Sequence, residues 1–260
     1  MSAESTNPST APGAWTDPEL VNPHQAADKA AKVRGMFSAI APAYDLNNRL
    51  HSLWQDQRWR RAAVRAAMVR PGDHVLDVAC GTGDLTMLFA RSDAAKVTGA
   101  DFTPAMLEIA RQKLARVNKP WTSKIEYLEA DATALPFADS SFDVVSIAFG
   151  IRNVNDPAKA LAEFARVLKP RGRLVILEFA QPTNRFMRWF NGVYCARVMP
   201  RTATLISGDT TGAYKYLPAS VGSFWTLPQM REAIEKAGFT DVSIRSMSMG
   251  ICACCRAIRP

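Results

Sequence analysis

No apolar run in these 260 residues approaches the roughly eighteen that a membrane span needs, so any membrane contact would be made from the surface. Histidine is scarce. His24, His51 and His74 are scattered along the chain, too far apart to share a metal by spacing. The five cysteines, Cys80, Cys195, Cys252, Cys254 and Cys255, are odd in number and bunched late, which argues against a disulfide framework. Cys252-Ala253-Cys254-Cys255 lacks a second ligand pair, so no metal is expected and the thiols read as small apolar groups of a last strand. Reduced thiols fit a cytoplasmic compartment. Residues 1–23 have neither a basic start nor an apolar core, so no secretory signal is expected. No internal repeat is present.

What is there is ordinary for a globular α/β chain: 48% hydrophobic and 22% charged residues, enough for one large domain with a sizeable core. The formal charge of +8 favours anionic partners such as a phospholipid surface or nucleic acid, and says nothing about fold. Residues 1–25, rich in Ser, Thr, Pro and Asn, are expected to be a disordered tail. Val33, Met36, Phe37 and Ile40 predict an amphipathic helix that Pro42 breaks. Residues 54–68 predict a second helix, whose Arg58, Arg60, Arg61 and Arg65 read as a solvated face.

From residue 74 strands and helices alternate. Strands are expected at 74–78, 96–101, 124–129, 142–148 and 173–178, and helices at 85–91, 103–117 and over the stripe Leu161, Phe164, Ala165, Leu168. This is the pattern of a doubly wound parallel sheet, whose ligand crevice lies beyond the C-terminal strand ends. Asp77, Asp101, Asp131 and Ala148-Phe149-Gly150 all fall there. Residues 182–200 interrupt the alternation with Phe186, Trp189, Phe190, Val193 and Tyr194 at helical spacing beside Arg185, Arg188, Arg197 and Arg201. They read as a core-facing cap helix, or as a lid or lipid-touching surface. A loop at 207–223, a helix at 227–237 and strands at 242–247 and 251–258 close the chain.

The most informative stretch is Val75-Leu76-Asp77-Val78-Ala79-Cys80-Gly81-Thr82-Gly83-Asp84-Leu85-Thr86, a buried strand entering a glycine turn and then a helix. A dinucleotide site wants a third glycine where Thr86 stands, and Asp84 puts negative charge where a pyrophosphate would rest. S-adenosylmethionine has no phosphate and carries a sulfonium and an ammonium, which suit an acidic rim. Asp101, twenty residues after Gly81, is placed to take two ribose hydroxyls.

Beyond that turn, Tyr44-Asp45, Leu76 through Leu85, Ala134-Leu135-Pro136-Phe137, Phe149-Gly150-Ile151-Arg152-Asn153-Val154 and Arg166-Val167-Leu168-Lys169-Pro170 resemble the ubiquinone/menaquinone biosynthesis C-methyltransferase family over residues 30–258. The glycine turn and Leu-Pro-Phe are widespread among class I methyltransferases, whereas Phe-Gly-Ile-Arg-Asn-Val and Tyr-Asp are more particular. The resemblance implies a class I, Rossmann-like α/β fold: a doubly wound seven-stranded sheet, mostly parallel with an antiparallel last strand, under an N-terminal helical lid. It further implies a lid at 26–70, a cofactor core at 71–180, a substrate cap at 181–225 and a C-terminal helix and strands at 226–260.

The activity it implies is S-adenosylmethionine-dependent methylation of a ring carbon of a prenylated quinol. Tyr214-Lys215-Tyr216-Leu217-Pro218-Ala219-Ser220-Val221 resembles members acting on naphthoquinols and leans towards demethylmenaquinol in menaquinone biosynthesis, with a benzoquinol of ubiquinone biosynthesis as the alternative. Thr82, Asp101, Asp131 and Ala132 are the cofactor contacts carried over, and Asp77, Gly81, Gly83, Phe102 and Ala148 complete the expected cofactor set. The family's Ser before Phe-Gly is Ala148 here, so a contact at that position runs through backbone. Asn47, Asp56, Arg171 and Ala180 also depart from its signatures, while Trp59 conforms.

A hydroquinone carbon is nucleophilic only once the neighbouring hydroxyl gives up its proton. Arg152 is expected to clamp the resulting oxyanion, Asn153 to hydrogen-bond it, and Tyr44 or Asp45 to relay the proton. The competing reading of Arg152-Asn153 is a loop paired with a neighbouring acid. Expected partners are a prenylated quinol and, peripherally, a membrane surface; no nucleic acid is expected, since no base-flipping motif or regular Arg–aromatic interleaving occurs, and a homodimer stays open. A nicotinamide oxidoreductase, a nucleic-acid-directed enzyme and another small-molecule methyltransferase are the competing classes.

Overall fold

The computed structural model describes residues 15–209 and 211–260. Two helices, α1 (Lys29–Ser52) and α2 (Gln55–Ala67), precede the first strand, β1 (His74–Val78). The alternation then runs α3 (Asp84–Ala90), β2 (Lys96–Asp101), α4 (Pro104–Ala115), β3 (Ile125–Glu129), β4 (Phe142–Ala148), α5 (Pro157–Val167) and β5 (Leu168–Phe179). An insertion of α6 (Arg185–Val193), a π-helical turn (Tyr194–Val198), α7 (Met199–Ser207) and α8 (Ala213–Gly222) follows, and α9 (Leu227–Lys236), β6 (Thr240–Met247) and β7 (Cys252–Ile258) end the chain.

The seven strands form one sheet in the order β3-β2-β1-β4-β5-β7-β6. β1 to β5 pair in parallel, and β7 lies antiparallel between β5 and β6, as expected of the last strand. Because strand side chains alternate, neighbours in sequence enter opposite layers. Val75, Val144, Val175 and Cys254 pack with Trp59 and Ala63 of α2 and Leu85 and Phe89 of α3. Leu76, Val145, Leu174 and Cys255 pack with Leu161 and Phe164 of α5 and Ile234 of α9. Each such aliphatic side chain contributes about 1.5–3 kcal/mol by leaving water. The late cysteines are therefore core thiols of β7, buried and unpaired.

Four expectations need correction. Pro42 does not end the first helix, which runs on to Ser52. One lost backbone bond is offset by packing on both sides of it, since Met36, Ile40, Ala41 and Asn47 are all buried. The disordered tail does not extend through residues 15–25. Trp15 is buried and stacks on Tyr216 at 4.5 Å, and two short 3-10 turns follow it. Residues 1–14 lie outside the described residues. The supposed loop at 207–223 contains α8, whose Tyr214 and Tyr216 are buried in a third core with Val33, Met36, Met106 and Met199. Finally, the cap helix α6 does not face the core, for Phe186 and Trp189 are 68% and 64% exposed.

Candidate active site

The C-terminal ends of β1, β2 and β4 build the site. Thr86 Oγ1 at the start of α3 donates to Asp77 Oδ2 at 2.7 Å, and Asp101 Oδ2 accepts from the Gly81 amide at 2.8 Å. Asp101 Oδ1 accepts from the Thr103 amide at 2.8 Å, so this carboxylate ties the glycine turn to the entry of α4. Gly83 has φ +80°, and a Cβ there would strike Tyr127 Oη. Ala79 and Phe149, the residues just past β1 and β4, sit in left-handed backbone at φ +50° and +58°. Such strain persists where surrounding contacts hold it. For Phe149 they are visible: its carbonyl accepts from Arg152 Nη1 at 2.8 Å and from Asn153 Nδ2 at 3.1 Å.

Three cavities adjoin here, and Tyr44 of α1 borders all of them. The largest, about 800 Å³ with its open mouth, is lined by Gly81, Asp101, Phe102, Asp131, Ala132 and Ala148 and roofed by Val33 and Phe37. A small one of about 290 Å³ lies over the glycine turn between Asp77, Thr82, Asp84 and Arg60. The third, about 600 Å³, lies between the lid and the sheet, lined by Ile40, Phe149, Phe179 and Leu217 with Arg60, Arg152 and Tyr214.

Of the expected site residues, Asn153 lines the first cavity and Arg152 the third, while Asp45 and Gly83 line none of the three. Asp45 instead latches the lid to the turn, accepting from Thr82 Oγ1 and from Lys113 Nζ, both at 2.6 Å. Arg152 is held on the buried Glu178 at 2.6 Å, as the paired-loop reading foresaw. Its other terminal nitrogen makes no hydrogen bond among the described residues. Asn153 Oδ1 accepts from Tyr216 Oη at 2.9 Å, and Lys29 Nζ caps the carbonyls of Arg152 and Val154. Burial lowers Lys29 to about 8, and the nearby Arg152 adds to it.

Electrostatics divide the acids. Burial drives Asp77 up to about 7, against the Thr86 hydroxyl and Arg60. Burial also raises Asp101, against the Gly81 and Thr103 amides. Asp84 is buried too, but Lys113, Arg60 and Arg49 outweigh that and hold it at about 2. Burial raises Tyr44 as well, so its phenol keeps its proton at neutral pH and acts as a donor. The residues that sequence missed are Glu178 and Arg60, while Tyr214 and Tyr216 stand in the sequence only as a family cue to the substrate and not as site residues. Arg60 is buried while Arg58, Arg61 and Arg65 of the same helix are exposed, so the solvated-face reading holds for three of the four. Only its position three residues before Ala63 and one after Trp59, both core-facing, hinted at this.

The donor set fits a nucleoside that carries a zwitterionic amino-acid tail. Asp101 keeps lone pairs free beside the large cleft, and Asp77 Oδ1 is buried without a partner beside the small one. Fold and site together define a class I methyltransferase. More particularly, the chain belongs to the ubiE/COQ5 methyltransferase family, which it matches over residues 25–259. It is 48% identical to a demethylmenaquinone methyltransferase of Thermus thermophilus, over 84% of this chain and 97% of that one. It is 42% identical to a ubiquinone/menaquinone biosynthesis C-methyltransferase UbiE of Teredinibacter turnerae, over 90% and 93% respectively. Among solved structures, a SAM-dependent methyltransferase from Aquifex aeolicus shares the fold with TM-score 0.56 and 18% identity, covering 77% of this chain and 89% of that one.

Proposed function

We propose that this protein methylates a ring carbon of a prenylated naphthoquinol, converting demethylmenaquinol to menaquinol, with S-adenosylmethionine as methyl donor. The observation that carries this reading is the position of Tyr44, which lines both the apolar third cavity and the acidic cofactor cleft and so sets the two side by side. When bound, the donor supplies an electrophilic methyl group on a sulfonium. The remaining work falls to the chain. Asp101 takes the ribose hydroxyls, Phe102, Asp131 and Ala132 flank the base, and Asp77 with the backbone at Gly81, Thr82 and Ala148 receives the amino-acid end. Gly83 and Asp45 keep the turn and lid in place.

In the third cavity Phe149, Phe179, Ile40 and Leu217 exclude water from the quinol ring. The open terminal nitrogen of Arg152 and the Tyr44 phenol stabilise the ring oxygen as it loses its proton, and Asn153 fixes the Phe149 turn that positions Arg152. A prenyl tail must reach this cavity from a bilayer, and no helix among the described residues is long and apolar enough to cross one. Phe186 and Trp189, exposed beside Arg185 and Arg188 on α6, supply apolar and cationic groups for an anionic lipid surface.

The test is the purified protein with S-adenosylmethionine and vesicles carrying either demethylmenaquinol or the corresponding prenylated benzoquinol. Mass spectrometry should find one added methyl on the naphthoquinol. Faster methylation of the benzoquinol would transfer the reading to ubiquinone biosynthesis, and methylation of neither would refute it.

The raised Asp77 has a measurable consequence. A folded-state value near 7 against 3.8 for the free side chain means that, between those pH values, the folded protein binds more protons than the unfolded chain. Stability of the empty protein from this group therefore falls as pH rises from about 4 to 7. An ammonium brought against Asp77 reverses the preference and expels the proton. Calorimetry of S-adenosylmethionine binding at pH 6.5, in buffers of different ionisation enthalpy, should show net proton release that disappears in Asp77→Asn.

A further inference from the structure

Arg60 is 7% exposed, and its guanidinium makes no hydrogen bond among the described residues. Its Nε is buried and unpartnered. The nearest carboxylate, Asp56, is 3.9 Å away, beyond hydrogen-bond reach, and accepts instead from Ser52 and Gln57. The Phe149 ring holds the group from one side, with Cζ 5.3 Å from its centroid. Asp56 therefore balances the charge at a distance but accepts no hydrogen bond from it, and buried donors left unsatisfied are costly, so the arrangement points to an anion that arrives later.

Arg60 borders both the small cavity over the glycine turn and the apolar third cavity. The small cavity is the side with the need. Its other charged walls are Asp77 and Asp84. The neighbouring cations Arg49 and Lys113 are already engaged by Asp84 and Asp45. An anion entering there has no other free cation to meet among the described residues. The charge of Arg60 is felt at the walls of this cavity, where it opposes the burial-driven rise of Asp77 and helps to hold Asp84 low. The apolar cavity, by contrast, already has Arg152.

We infer that Arg60 is the carboxylate receptor of the amino-acid end of the cofactor, pairing with the carboxylate while Asp77 takes the ammonium. This rests on S-adenosylmethionine being the methyl donor. The two charges of the zwitterion are thereby matched across the small cavity, and a donor lacking the carboxylate loses the Arg60 contact. Charge-assisted hydrogen bonds of this kind contribute about 1.5–3 kcal/mol, so the carboxylate should be worth roughly 10- to 100-fold in affinity.

The test is calorimetric binding of S-adenosylhomocysteine and of its decarboxylated analogue to the full chain, without turnover. The wild type should prefer S-adenosylhomocysteine by roughly 10- to 100-fold. Arg60→Gln should bind it correspondingly more weakly and distinguish the two ligands by less than about threefold. Arg60→Lys, which keeps a cation if the Gln variant fails to fold, should retain a reduced preference. Full discrimination by Arg60→Gln, or weakened turnover with unchanged binding of S-adenosylhomocysteine, would overturn the assignment and move Arg60 to the quinol. If the wild type binds neither ligand, the donor itself is wrong and the inference falls with it.

Discussion

An Asp101→Ala variant should lose at least about 100-fold in affinity for S-adenosylmethionine, which titration calorimetry reads directly. Two effects add. The carboxylate oxygens facing the large cleft are the acceptors placed for a ribose diol, and neighbouring Asp131 is exposed and turned onto Thr133. The same carboxylate also accepts from the amides of Gly81 and Thr103, so its removal leaves two donors unsatisfied, each costing about 1–3 kcal/mol where water cannot replace the acceptor. The glycine turn is thereby loosened as well as stripped of a contact. Asp101→Asn separates the two, since its amide oxygen can keep one backbone bond; it should bind more tightly than the alanine variant but below wild type. Affinity of Asp101→Ala within about threefold of wild type would remove this residue from the cofactor site.

What was legible in the sequence is what short stretches determine. The strand-turn-helix around Gly81 and Gly83, the strand-end position of Asp101 and the apolar runs of β1, β4 and β5 each follow from residues within a few positions of one another, and all appear in the structure. The antiparallel β7 was legible only through family resemblance, because Cys252 to Ile258 carries no periodic signature of direction. The lid was read less well. Pro42 looked like a helix end because a local rule saw the missing N–H but not the packing of Met36 and Ile40 around it. Arg60 looked solvated among exposed arginines because its neighbours in space, Phe149 and the two cavities, are nearly ninety residues away or formed by other elements. Asp45 looked catalytic beside Tyr44, yet adjacent residues of a helix point about 100° apart, and Asp45 reaches Thr82 and Lys113 instead.

Arg152→Ala should leave affinity for S-adenosylmethionine within about threefold while lowering turnover of the quinol by roughly 100- to 1000-fold, the loss typical of one oxyanion donor. The interpretation depends on Glu178. Arg152 is paired with it in the interior, so alanine strands a buried carboxylate and should cost about 3–5 kcal/mol of stability, visible as a lower melting temperature. It also removes one of the two donors on the Phe149 carbonyl that keep the strained turn in place, leaving Asn153 alone. A drop in activity alone would thus not separate chemistry from architecture. Replacing the pair together, Arg152→Met with Glu178→Met, removes the stranded charge, and such swaps are often neutral in stability. If Arg152 supplies charge to the quinol oxygen, the double variant melts near the wild type, binds S-adenosylmethionine and still turns over at the level of Arg152→Ala. If the pair serves only to brace the loop, activity returns with stability, and the oxyanion would then have to be held by Tyr44 and its neighbours alone.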